Sequence, residues 1–239
     1  MSQPKNTDTP ILPSAFQLFR PSWEALLVNW QTFLLLVLTP LAIIVLGAAI
    51  LLAGHGSALQ LPLGVIGAVA VAAGIVVALT VPPTQTYLQI KSARGVQVSY
   101  RETFENGLHY FWRIWGLSIC VGAIVVIGLI LFIVPGLFML RRYILAPYFL
   151  IDRNMGVFEA MRTSTELSKK YGAAVWGLIG VQFLLVVPSF IPFIGSLITW
   201  ILDILYYCAA AVRYEQIGLA EAAVSPKVKS GQTRSKKSS

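Results

Sequence analysis

Three ionisable residues stand inside long apolar stretches of this chain: Arg141, Arg142 and Asp203. An ionised side chain in hydrocarbon costs about 2.5–3.5 kcal/mol on insertion scales, so each needs a partner or a task. Arg142 precedes Asp152 by ten residues, and Asp203 precedes Arg213 by ten. At about 1.5 Å per residue, both lie about 15 Å below the polar end of their segment. Two helices running in the same direction bring residues of equal depth together, so the expectation is an intramembrane ion pair. Its role is either structural, choosing which helices pack, or that of a headgroup or substrate site.

The other candidates for chemistry are isolated. His55 sits between two glycines and His109 stands alone, with neither HExxH spacing nor a second ligand, so no metal site is expected. No glycine run forms a Walker A or GxGxxG loop, which argues against a nucleotide cofactor. Cys120 and Cys208 fall within apolar runs and act as small hydrophobes. With no grouped acid, nucleophile and base, the chain reads as neither an enzyme nor the holder of a cofactor.

The elements that must position these residues follow from composition. Of 239 residues 56% are hydrophobic and 12% charged, and the mean hydropathy is +0.74. That charge content is about half of a soluble domain's, and no soluble fold buries so much apolar surface. The class is all-α integral membrane. Runs long enough for a bilayer core lie at 32–53, 61–81, 114–134 and 194–212; two shorter or interrupted ones lie at 136–151 and 173–191. The first run begins so late that no cleaved signal is expected.

Lys and Arg settle the count, because they collect on the cytoplasmic side. The segments before Thr32, from 90 to 113, from 152 to 170 and after Val212 hold 2, 4, 4 and 6 of them, while the connections at 54–60, near Pro135 and at 188–193 hold none. That alternation requires six crossings with both termini cytoplasmic, arranged as three antiparallel hairpins. Ala68 with Ala72, or Ala70 with Gly74, offers a small-residue face for close packing of the second span. Pro82-Pro83 ends or kinks that span, leaving Thr84, Gln85, Thr86 and Gln89 as a polar vestibule or a plain helix exit.

Before each hairpin lies a segment with matching spacing: Phe19, Trp23, Trp30; Tyr100, Phe104, Phe111; and Ala160, Ser164, Tyr171. Steps of four and seven place each set on one helix face, which indicates an internal repeat of interfacial amphipathic helices. Trp23, Trp30, Trp112, Trp115 and Tyr171 are the expected interfacial anchors.

The stretch 135–171 carries Pro135-Gly136, Arg142-Tyr143, Ala146-Pro147, Asp152, Glu159-Ala160, Ser164 and Leu167. With these residues it resembles a family of uncharacterised bacterial polytopic membrane proteins, similar to the membrane domain fused to some glycerophosphoryl diester phosphodiesterases. The family often has Trp after the Ser, where this chain has Thr165. The resemblance implies a fold and an inner-membrane location; the phosphodiesterase activity belongs to a separate domain.

The organisation expected is a flexible N-terminus at 1–13, a six-helix membrane domain at 14–217 and a disordered basic tail at 218–239. That tail holds Lys227, Lys229, Arg234, Lys236 and Lys237, suited to an anionic leaflet rather than to nucleic acid. The partners expected are membrane lipids and other membrane proteins or copies of the chain. The leading reading is a non-catalytic organising or assisting role in the membrane; the alternative is a small-solute or lipid transporter.

Overall fold

The computed structural model describes the backbone of residues 12–55, 59–191 and 194–235, and their side chains apart from those of 133 and 223–235. The described residues form helices and turns with no strand. Six stretches are long and apolar enough to cross a membrane: Trp30–Gly54, Gln60–Ala93, Phe111–Leu131, Val134–Asp152, Gly172–Phe190 and Ile194–Ala222. Length and hydropathy together make this a multi-pass membrane protein.

The helices fall into three units of the same order. The first contains a 3-10 turn at Ala15–Leu18, then α1 (Phe19–Val28), α2 (Trp30–Gly54), α3 (Gln60–Leu79) and α4 (Val81–Ala93). The second contains α5 (Tyr100–His109), α6 (Phe111–Leu131), α7 (Ile133–Tyr143) and α8 (Ala146–Asp152). The third contains α9 (Val157–Lys170), α10 (Gly172–Val186), a 3-10 turn at Val187–Phe190, α11 (Ile194–Leu205) and α12 (Ala209–Ser235).

In every unit one non-helical residue, Asn29, Tyr110 or Tyr171, separates the first helix from the second. This corrects the repeat register by one residue in the third unit. Tyr171 corresponds to the break residues Asn29 and Tyr110, not to Trp30 and Phe111. Seven residues before each break stand Ser22, Thr103 and Ser164, and all three are 0% exposed. The aromatic spacing aligned positions of unlike burial, from exposed Trp23 and Trp30 to buried Ala160 and Tyr171; the buried small hydroxyls carry the structural equivalence.

The second half of each unit is also interrupted, at Thr80, at Ile144-Leu145 and at Tyr206–Cys208. Prolines in the first turns of α4 and α8 favour two of these breaks, since a helix start has no use for the missing N–H. The expected spans 136–151 and 194–212 are therefore each two helices rather than one. The third break has no proline, and there Ser22 Oγ accepts a hydrogen bond from the Cys208 amide at 2.9 Å.

Close approach of α2 and α3 depends on glycine. A Cβ on Gly47 would lie 2.7 Å from the Val71 amide, and one on Gly74 would lie 2.6 Å from Ile44 Cγ1. Of the two small-residue faces foreseen, Ala70 with Gly74 is the one that packs; Ala68 and Ala72 are exposed. Gly128 meets Gly136 between α6 and α7 in the same manner.

The units then join head to tail in a ring. Gly107 of α5 lies directly against Thr84 of α4, and Ser164 Oγ of α9 donates to the Arg142 carbonyl at 2.6 Å. With Ser22 bonded to Cys208, the first unit closes on the third. The first helix of each unit thus packs its buried small face on the interruption of the unit before it. α4, α8 and α12 meet in the middle and share a core that includes Ile90, Phe149, Leu150, Tyr214 and Ile217.

α12 continues past residue 218, where an irregular tail was expected. Ala220 is buried and Glu221 is bonded to Lys170 and Tyr171, so packing holds the helix up to that point.

Candidate functional site

A polar cluster stands where α4, α8 and α12 converge. α4 ends in a glycine cap: Gly95, at φ +69°, donates to the Ser92 carbonyl while the Val96 amide donates to that of Lys91. Only glycine adopts that φ without strain, and the turn aims Arg94 inward. Arg94 Nη1 lies 2.6 Å from Asp152 Oδ1 and Nη2 donates to Oδ2 at 2.7 Å, a bidentate pair between α4 and α8. Its Nε donates to Glu215 Oε1 of α12 at 2.8 Å, and Tyr214 Oη donates to Asp152 Oδ2 at 2.6 Å. The bond to Asp152 raises the Arg94 pKa above the ordinary guanidinium value, and the Glu215 bond adds to it, against the opposing effect of burial.

A second polar layer lies beside it. Tyr148 Oη of α8 donates to Gln89 Oε1 of α4 at 2.9 Å, and Gln89 Nε2 donates to the Tyr207 carbonyl at 3.2 Å. Gln89 and Thr84, foreseen as part of a vestibule, are buried between helices. Thr84 Oγ1 donates to the carbonyls of Thr80 and Val81. A third tie links α9 to α12, where Lys170 Nζ lies 2.6 Å from Glu221 Oε1 and Tyr171 Oη donates to the same oxygen at 2.8 Å. Burial, and next the bond to Glu221, push the Tyr171 phenol up to about 12.

The residues singled out in the apolar stretches lie elsewhere, and the structure does not bring them together. Among the described residues no carboxylate comes within 4 Å of Arg141 or Arg142. Arg141 lies over the rings of Phe138 and Trp176, 5.6 and 5.7 Å from their centres, and Arg142 Nη1 is 3.9 Å from Met139 Sδ. Asp203 accepts a 3.3 Å hydrogen bond from Gln182. α10 supplies partners to both at different heights. Trp176 and Gln182 are six residues apart, or about 9 Å along the helix. The equal residue counts do not bring the charges together, because each count crosses a helix break, at Ile144-Leu145 for Arg142 and at Tyr206–Cys208 for Asp203, and because α10 meets Arg141 and Asp203 with different residues.

Of the expected anchors, Trp23, Trp30 and Trp112 are exposed, and Trp115 donates its indole N–H to the Leu79 carbonyl at 3.0 Å. Tyr171 faces the protein. Two open clefts, of about 420 and about 270 Å³, lie at the α1–α2 corner beside Gln97 and between Tyr143 and α9. Neither is lined by Arg141, Arg142 or Asp203. The described residues contain no group of three His, Cys, Asp or Glu side chains placed to hold a metal.

Sequence reasoning missed the Arg94–Asp152–Glu215 cluster because all three were counted as loop or end charges. A signal was present: Arg94-Gly95 is a helix-ending pair, and Tyr214-Glu215 stands beside the last apolar run. No protein-family model matches the chain, and no solved structure matches it.

Proposed function

We propose that this chain is a non-catalytic organising or assisting protein of a bacterial inner (plasma) membrane. Its six crossings form three hairpins, each preceded by an interfacial amphipathic helix, and both termini are cytoplasmic. One observation carries this reading. Arg94 is engaged with Asp152 and Glu215, and Lys170 with Glu221, across helices, and no acid, base and nucleophile are gathered at an open site among the described residues. The placement of Lys and Arg supports the orientation. The exposed Phe158 and Arg162 of α9, opposite buried Ala160 and Ser164, support the interfacial assignment, as do the exposed Trp23 and Trp30. The likeness to the membrane domain of glycerophosphoryl diester phosphodiesterases supports the location. Membrane lipids and other membrane proteins or further copies of the chain are the partners, with no nucleic acid and no cofactor.

The test is purification in mild detergent with mass spectrometry of everything that accompanies the chain. A membrane protein recovered at a fixed ratio is the expected result. One observation favours the transporter alternative, namely that Arg141, Arg142 and Asp203 are not neutralised by one another. Flux of a solute or lipid in reconstituted vesicles that depends on Arg141 and Asp203 would replace the organising role with transport.

A further inference from the structure

Arg141 carries a charge that no carboxylate among the described residues answers. Its Nε is buried without a hydrogen-bond partner, and the rings of Phe138 and Trp176 hold the guanidinium in place. It stands beside Gly172, the first residue of α10, where a Cβ would lie 3.7 Å from Nη1 and 3.8 Å from Nη2. The first backbone bond entering α10 runs from the Val175 amide to the Tyr171 carbonyl, so the amides of Gly172, Ala173 and Ala174 precede any intrahelical acceptor. A helix start is the positive end of its dipole and repels a cation. Arg141 and the start of α10 are therefore two positive features side by side, an arrangement that an anion between them stabilises.

The repeat supplies an internal comparison. Counted from the last helical residue before each break, Arg141 corresponds to Val77 in the first unit and to Asp203 in the third. Counted from the break residue, Trp176 corresponds to Trp115. The seam between α3 and α6 closes with Trp115 bonded to the Leu79 carbonyl and with Val77 where the other seam has Arg141. Packing of such a seam does not require an arginine, and the Arg141 Nε left without a hydrogen-bond partner is not accounted for by the ring contacts alone. Next to it the surface turns apolar: Phe138 is 43% exposed, Gly180 has open space where a Cβ would point, and Phe183 and Leu184 are exposed. A ligand suited to both parts has an anionic head and an apolar tail.

We propose that Arg141, together with the first turn of α10, binds the phosphate of a membrane phospholipid whose acyl chain lies along Phe138 and Trp176. The assignment rests on the membrane reading above and adds the ligand chemistry and its site.

The full chain in mild detergent micelles is titrated with synthetic phosphatidylglycerol or phosphatidylcholine, and retained lipid is counted by native mass spectrometry. Phosphatidylglycerol should be retained at least about tenfold better, because its phosphate has no tethered ammonium to neutralise it. Arg141→Gln should lower that retention by about 10- to 100-fold, the equivalent of losing one or two charge-assisted hydrogen bonds. Arg141→Lys should recover part of it, and Asp203→Asn should leave it unchanged. Equal retention of the two lipids by the unmodified chain overturns the proposal without recourse to any variant. An equal loss in Asp203→Asn overturns it as well, because the effect would then come from general charge or folding. Competition by millimolar inorganic phosphate or glycerol 3-phosphate would assign the site to a free anion and overturn the lipid. A chain that cannot be placed in bilayer discs refutes the membrane reading itself. One that enters discs without lipid preference refutes only the site.

Discussion

Replacing Asp152 by Asn tests whether the convergence of α4, α8 and α12 holds the three units together. The carboxylate receives two charge-assisted contacts from Arg94 and one hydrogen bond from Tyr214, and its side chain is only 16% exposed. Asn keeps the shape but not the charge, and it cannot accept at both positions. A hydrogen bond to a charged group contributes about 1.5–3 kcal/mol, and stranding a fully buried partner costs about 3–5 kcal/mol. Arg94 keeps Glu215 and is 37% exposed, so the full stranding cost does not apply. The expected loss is about 2–3 kcal/mol, or about 4–12 °C in Tm for a chain of this size. It is to be measured by thermal and denaturant unfolding in one detergent, for Asp152→Asn, Arg94→Gln and the double variant. The double variant should lose less than the sum, with a coupling of about 1–2 kcal/mol, because the second substitution removes a partner already gone. A single-variant loss below about 0.5 kcal/mol, or strict additivity, would refute the claim that this pair joins the units.

Other expectations follow from the same structure. Gly47→Val should destabilise by about 1–3 kcal/mol by forcing α2 from α3, whereas Gly64→Ala, with nothing within 4 Å of its Cβ, should be near neutral in the same unfolding assay; equal effects would refute the close-packing account. The Tyr171 phenol ionises at a higher pH folded than the usual value near 10. Its stabilising contribution is complete below about pH 10 and falls as pH rises toward 12, so Tyr171→Phe should flatten the alkaline loss of thermal stability. An unchanged slope would show that the phenol does not matter. A cysteine placed at Ser57, outside the described residues, should be labelled from outside intact cells and one at Ser230 should not; labelling of Ser230→Cys would invert the proposed topology.

Much of the architecture was legible in residue type and spacing. Apolar runs of bilayer length located four of the six membrane-length stretches, the alternation of Lys and Arg supplied the two shorter ones, and Pro82-Pro83 marked the end of α3 because proline suits a helix start and spoils a helix interior. The threefold repeat was legible as well, though matched on the spacing of aromatics and therefore one residue out in its third copy. The buried hydroxyls Ser22, Thr103 and Ser164 carry the true register, and a small polar residue in a sequence gives little sign of whether it is buried.

The pairing of charges was not legible. A hydropathy pattern reports how each segment meets its solvent and is silent about which face turns toward which neighbour. Arg141 and Asp203 share an equivalent place in two different units and carry opposite charges, yet α10 provides separate partners for each at different heights. Arg94, Asp152 and Glu215 are spread over 121 residues and meet because the three inner helices α4, α8 and α12 converge beyond the breaks. Local apolarity located the membrane-length stretches from the sequence alone, and proline marked one of their three interruptions. Only the ring closure of the three units decided which charges meet, because that depends on contacts between residues that no local spacing relates.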